Sequence, residues 1–486
     1  MAGQNIPDKP NILFLMTDQM QGRVLNPDNP CQTPHLDKLA AQGVRFTRAY
    51  TPNAVCSPAR ASLMTGLLPH NHGVLYVTHT VDDDQACLRT EYPHWAQRLV
   101  DNGYRTGYFG KWHVERTNEL TNFGWQEYGE LGRPIDAKSP TFSMEKFLDG
   151  PEGYHPNRFY GTWDLLPEET PAGHKVARAT TFLDDVLEND NPWCCFVSVT
   201  EPHDPFFCNE ATYTQYDVES IELQPNVHDT LENAPGLYRN AGVPWRNWSD
   251  QEHKEATACY YGMISEIDLL YGRLIDRIDA AGQLDNTIIV FTSDHGEFLG
   301  AHGLYCKNVS AYEEAYNVPL IMAGPGIAQG QESDARVGLH DLGQTLLALT
   351  GSEPIDTQLK DAPDSREFTS VLQAPNATED YQQGFAEYFG GRIILTQRVV
   401  WDGDWKYVFN GFDFDELYNL ADDPYEMNNL LTDNQVADPA HAERLKTMVK
   451  LLWKRIGETG DHSLFNSHYP VLRVAPYGPM IVKESS

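Results

Sequence analysis

The run Cys56-Ser57-Pro58-Ala59-Arg60-Ala61-Ser62-Leu63-Met64-Thr65-Gly66 puts a thiol at the mouth of a helix. Pro58 belongs in a first helical turn, where its missing N–H is one of those left free anyway. The remaining free N–H groups and the positive end of the helix dipole face the sulfur and favour an anion beside it. Arg60, one turn on, points a fixed positive charge at the same spot. Two polar pairs, Asp18-Gln19 and Asp294-His295, each follow an apolar run. All four side chains can ligate a divalent ion. Oxygen-rich ligation favours Ca2+ or Mg2+, and the imidazole makes Mn2+ reasonable too. Taken singly, these residues have structural readings: Cys56 as a buried thiol, Asp18 as a strand-end turn residue.

Something must bring positions so far apart in the chain together. Asn11 to Thr17 reads as a buried parallel strand that delivers Asp18 at its carboxyl end. Thr33-Pro34 starts a helix that Gly43 stops, and Pro93 to Val100 forms another, followed by an extended Tyr104 to Phe109. The alternation continues: helix Val176 to Leu187, strand Trp193 to Val199, long helix Ala256 to Ala281, strand Thr287 to Thr292. Val318 to Ala323 and the helix Leu339 to Leu349 complete the βαβ series. Such a series predicts an α/β fold, a large and mostly parallel sheet sandwiched by helices. Ligands bind at the carboxyl ends of such strands, where Asp18, Lys111, His203, Asp294 and His295 all fall.

After about Ser370 short strands alternate with Gly and Asp turns, and a helix follows from about Pro439. We expect a catalytic domain over residues 1–375 and a smaller α+β domain with an antiparallel sheet over 376–486. Pro205 to Ser249 is polar and weakly periodic, the texture of an active-site insertion loop.

The C-x-P-x-R run with its following Thr-Gly resembles, without departure, the sulfatase signature, in which the cysteine is oxidised to formylglycine. The resemblance spans roughly residues 10–430 and places this chain in the alkaline phosphatase superfamily. It implies that Asp18, Gln19, Asp294 and His295 hold one divalent metal together with residue 56. Many members carry Asp-Asp and Asp-Asn at the two pairs; the Gln19 and His295 choices resemble phosphonate monoester hydrolases, choline sulfatases and iduronate-type sulfatases. Gly110-Lys111-Trp112-His113 is similar to the family's G-K-W-H segment, whose lysine and histidine touch the sulfate and the formylglycine. Glu201-Pro202-His203-Asp204-Pro205-Phe206 resembles the segment that supplies a histidine at the leaving-group side, and a pKa near neutrality suits that role. Lys307 falls where sulfatases place a second sulfate-binding lysine. Glu416 to Leu430 looks like the close of the family's C-terminal domain.

The implied reaction is hydrolysis of a small-molecule or carbohydrate sulfate ester to an alcohol, phenol or sugar and inorganic sulfate. The formylglycine hydrate attacks sulfur to give a covalent sulfated intermediate, and loss of a proton from its second hydroxyl, aided by His113, expels sulfate. Lys111, Lys307 and Arg60 clamp the spread negative charge, and His203 or Lys307 protonates the departing oxygen. Phosphonate monoester or phosphodiester hydrolysis at the same site is the alternative. A non-catalytic anion-binding protein with unmodified Cys56 is a reading from another class.

A formal charge of −33 opposes nucleic acid and anionic membranes. Eight cysteines without C-x-x-C pairs fit reduced core thiols. The polar start shows no signal-peptide pattern, so the expected location is cytoplasmic unless a leader has been removed. A formylglycine-generating enzyme is the implied maturation partner. The apolar, Pro-bearing tail Ser463 to Lys483 suits docking on a second copy, a possible homo-oligomer, or packing on its own domain.

Overall fold

In a computed structural model describing residues 9–129, 138–148, 156–307, 309–356, 363–391, 394–431 and 438–465, the strand Asn11–Thr17 lies inside an eight-stranded sheet. Across that sheet the strands run Gln331–Ser333, Gly43–Phe46, Leu320–Ala323, Thr287–Ser293, Asn11–Thr17, Trp193–Ser198, Arg105–Gly110 and Glu127–Tyr128. Every pairing is parallel except the two made by Leu320–Ala323. That reversal corrects the reading of Val318 to Ala323 as the next strand of a βαβ series. The link from Thr287–Ser293 is a looped return rather than a crossover helix, so the chain re-enters antiparallel.

Alternation along Asn11–Thr17 explains the two cores. Leu13 and Leu15 face one side, with residues of the helices Pro34–Ala41, Pro171–Val186 and Asp250–Ala280. Ile12, Phe14 and Met16 face the other, with the helices Cys56–Thr65, Trp95–Asp101 and Asp341–Leu349. A period of two on a fully buried strand therefore fills both layers. The longest helix, Asp250–Ala280, starts on a capping box in which Ser249 and Glu252 bond each other's backbone N–H groups.

A four-stranded antiparallel sheet, Gln383–Tyr388, Gln397–Asp402, Trp405–Asn410 and Glu416–Asn419, follows. Val400, Tyr407 and Leu417 pack on the helix Pro439–Thr459 through Met448, Leu452 and Ile456. On its other face Ala386, Val399, Trp401 and Tyr418 share a core with Tyr50, Phe298, Tyr312 and Tyr316. Lys406, fully buried, lies 3.0 Å from Glu313 and 2.7 Å from Glu426.

The stretch Pro205 to Ser249 is more ordered than an insertion loop: Phe206–Asn209 pairs in parallel with Asn157–Trp163, and short helices follow. No helix among the described residues is long and apolar enough to cross a membrane. Residues 466–486 of the tail, with the docking role expected of it, lie outside the described residues.

Candidate active site

Strand register builds the first half of the site. Thr17 pairs with Ser293 across parallel neighbours, so Asp18 and Asp294 leave the sheet side by side. Cys56 opens its helix after Val55 in extended backbone, and the helix ends on Gly66 at φ 69°, the left-handed stop that glycine takes without strain. All ten helical residues are buried. The sulfur lies 3.2 Å from His295 Nε2 and 3.8 Å from Asp18 Oδ1. Ligand atoms of Asp18, Cys56, Asp294 and His295 all fall within 4.8 Å of one another.

Two carboxylates without solvent need a counter-charge. Arg60, itself fully buried, supplies it: Nη2 donates to Asp18 at 2.9 Å and Nε to Asp294 at 2.7 Å. Its Nη1 donates to the Lys111 carbonyl at 2.9 Å and to Ser198 Oγ at 2.8 Å. Lys111 Nζ meets Asp18 Oδ2 at 2.5 Å. The donor set fits a divalent cation: two carboxylates and an imidazole converge on residue 56. Nδ1 of His295 is 2.9 Å from the Gly296 carbonyl, which leaves Nε2 for the cluster.

Burial and Asp18 push the Cys56 thiol up, but Lys111, Lys307 and His295 outweigh them and hold it well below the usual thiol range. Burial likewise opposes ionisation of Asp18, yet Lys111 and Arg60, with His203 and Lys307, keep it well below the ordinary carboxylate value. Asp294 is raised, chiefly by burial. Site residue 56 therefore sits in a positive field although the whole chain is strongly acidic.

Gln19 adopts φ 67°, an uncommon left-handed conformation for a side-chain-bearing residue. Its Nε2 donates to Glu297 Oε2 at 2.5 Å and to Asp204 Oδ1 at 3.0 Å, and its Oε1 accepts from Lys307 Nζ at 2.6 Å. Lys307 Nζ is also 2.5 Å from His203 Nε2. Burial and Lys307 pull the His203 pKa down, but bonding to Cys56 and the carboxylates of Asp18 and Asp204 lift it to about 9. His113, at φ 55°, places Nε2 3.0 Å from Nδ1 of His79, with the rings stacked.

The singled-out positions thus fall into one cluster and its rim. Asp18, Cys56, Arg60, Lys111, Asp294 and His295 interlock directly. Gln19, Lys307 and His203 form an adjoining chain, and His113 stands with His79 on the wall. Sequence reasoning missed His79, and it missed Glu297, fully buried and raised to about 7 by burial. Nothing in the local sequence around Glu297 signals this role, because its side-chain partner Gln19 lies 278 residues away.

Two cavities of about 540 and 560 Å3 meet at His79, Lys111, His113, His203 and Asp204. The first runs past Cys56 to Val77, Trp245, Tyr388 and Leu395, and the second to Glu115, Thr117, Asn118 and Lys175. A larger cavity, about 690 Å3, lies near Arg23, Arg45 and Arg48, each already paired with an acid. Its lining holds no Cys or His, so chemistry rather than size selects the site.

The sequence model of the family described as Sulfatase matches residues 10–352, and that described as N-sulphoglucosamine sulphohydrolase, C-terminal, matches 300–454. Choline-sulfatase of Rhizobium meliloti (strain 1021) is 30% identical over 443 residues, 87% of this chain and 82% of the relative. The ulvan-active sulfatase of Formosa agariphila is 28% identical, covering 96% and 84% respectively. Among solved structures, phosphonate monoester hydrolase from Silicibacter pomeroyi superposes with a TM-score of 0.76 at 22% identity, over 94% of this chain and 97% of that one, a likeness of fold.

Proposed function

This chain belongs to the sulfatase family and is a sulfuric ester hydrolase, and we propose that it acts through Cys56 oxidised to formylglycine beside one divalent ion. The observation that carries the proposal is the convergence of Asp18, Asp294 and His295 on the residue-56 side chain at a helix N-terminus. A bound Ca2+, Mg2+ or Mn2+ would be held by Asp18, Asp294 and His295, with the Gln19 carboxamide oxygen adjoining, and would supply Lewis acidity there.

The protein's own groups account for the rest. Lys111 and Lys307 flank residue 56 and neutralise the spreading charge of a sulfuryl group. Arg60 is too buried and too fully bonded to meet substrate; it holds Asp18 and Asp294 in place. His203, on the Lys307 side, is the proton donor to the departing oxygen, and His113 accepts a proton on the opposite wall. The cavity past Val77, Trp245, Tyr388 and Leu395 supports an ester whose alcohol part offers an apolar face. A formylglycine-generating enzyme is the maturation partner this reading requires.

Mass spectrometry of the Cys56 peptide, with turnover of aryl sulfate by wild type and Cys56→Ala, tests the proposal. Conversion should replace sulfur by a carbonyl oxygen, and Cys56→Ala should lose turnover without losing its fold. An unconverted cysteine in active protein would refute it. The Gln19 and His295 choices keep phosphonate monoester hydrolysis as a second reading, so phenyl phosphonate belongs in the same assay.

A further inference from the structure

Glu297 lies in the loop that leaves the strand Thr287–Ser293, with no exposed surface. Oε1 accepts from the backbone N–H of Leu299 at 2.9 Å and of Cys306 at 2.6 Å, and Oε2 accepts from Gln19 Nε2 at 2.5 Å. Its own carbonyl accepts from Gln21 Nε2 at 2.8 Å. One carboxylate thus ties the end of the strand Asn11–Thr17 to the loop that precedes Lys307.

The carboxamide of Gln19 has two N–H groups, and both are occupied by carboxylates, Glu297 and Asp204. Its oxygen is therefore turned away from both acids and meets Lys307 Nζ. The reverse orientation would set N–H groups against an ammonium and an oxygen against carboxylates, a costly arrangement in a buried site. The backbone helps: Gln19 N–H donates to Asp294 Oδ1 at 3.1 Å, and its carbonyl accepts from the Tyr260 hydroxyl at 2.8 Å, fixing the left-handed turn.

We propose that Glu297 is a positioning residue: it sets which way the Gln19 carboxamide faces and, by holding the Cys306 N–H, where Lys307 stands. Only a carboxylate can accept three N–H groups with two oxygens here. A glutamine would put a donor against the Gln19 donor or against a backbone N–H. The inference rests on the reading of the Cys56 site as the reaction centre.

The test compares wild type, Glu297→Gln and the exchange variant Gln19→Glu/Asp204→Asn/Glu297→Gln, in which both acids facing position 19 become N–H donors, each checked for a cooperative melt. Mn2+ affinity is read by electron paramagnetic resonance, and kcat and KM with an aryl sulfate. Glu297→Gln should lose about 10- to 100-fold in Mn2+ affinity and in kcat/KM, the usual effect of removing a group that orients a ligand. In the exchange variant the carboxamide introduced at position 297 keeps an oxygen for the two backbone N–H groups and, like the carboxamide introduced at position 204, offers an N–H to the carboxylate introduced at position 19, so at least tenfold of the lost Mn2+ affinity should return. A folded Glu297→Gln with wild-type Mn2+ affinity and kinetics overturns the proposal. So does an exchange variant that binds Mn2+ as weakly as Glu297→Gln, because a merely structural defect gains nothing from further substitutions. If fully converted, metal-loaded wild type turns over no sulfate ester, the function proposed above fails instead, and the Mn2+ affinities still decide the role of Glu297.

Discussion

Replacing Arg60 by methionine keeps much of the length of the side chain and removes its charge from beside two fully buried carboxylates. The two carboxylates fare differently. Asp18 keeps Lys111 at 2.5 Å, whereas Asp294 is left with the N–H groups of Gln19 and His295 at 3.1 and 3.0 Å. Stranding one partner of a buried ion pair costs about 3–5 kcal/mol. Against a typical stability of roughly 5–15 kcal/mol this is a large fraction. With an unfolding entropy of about 1 kcal/mol/K for 486 residues, about 1 °C per kcal/mol, the thermal midpoint of Arg60→Met should fall about 3–5 °C in chelator. Differential scanning calorimetry of both proteins measures the difference, and Ca2+ should narrow it, since a cation between Asp18 and Asp294 replaces part of the missing charge. Adding Asp294→Asn removes the stranded charge, so the double variant should melt above Arg60→Met. An Arg60→Met midpoint equal to wild type in chelator would refute the reasoning.

Gly110 sits at φ 122°, and a Cβ there would lie 1.9 Å from the Ser198 carbonyl that accepts from Lys111 N–H, so Gly110→Ala should displace Lys111 and lower kcat/KM about 100-fold; near-normal kinetics would contradict this. Burial lowers the His70 pKa, but the charge and hydrogen bond of Glu387, with Asp461 and Asp364, lift it to about 9. A raised folded-state value stabilises fully below about pH 6.5 and fades as pH rises through about 9, a contribution on the order of 3 kcal/mol. Urea midpoints at pH 6 and 9.5 should therefore diverge more in wild type than in His70→Gln, and parallel changes would count against it.

The sequence disclosed the site where residue type and strand ends coincide. Apolar runs ending in Asp18 and Asp294 needed only a parallel pairing to become neighbours, and Cys56 declared its helix through Pro58 and Gly66. Direction was hidden. The residues Leu320–Ala323 are as apolar as any parallel strand, and hydrophobicity carries no sense of up or down. Gln383–Tyr388 escaped because Gly384 and Gln383 dilute its alternation, and it becomes a strand by pairing with Gln397–Asp402. Phe206–Asn209 was masked by the prolines before it. Glu297 and His79 were illegible for another reason: their partners, Gln19 and His113, are 278 and 34 residues away, and no local pattern encodes such bonds.

The helix Cys56–Thr65 has every residue buried, and the cavity above Cys56 is closed in part by Tyr388 and Leu395. The wall over residue 56 is thus made of chain that leaves the ribosome more than three hundred residues later. The maturation enzyme proposed above would find Cys56 and the helical residues that follow it buried in the folded protein. If Cys56 is oxidised as proposed, the conversion is a matter of timing: it would belong to the nascent chain, before the last quarter of the polypeptide arrives and covers the sulfur. A slower-folding variant should emerge more completely converted, and a pool refolded from unconverted chains should stay unconverted.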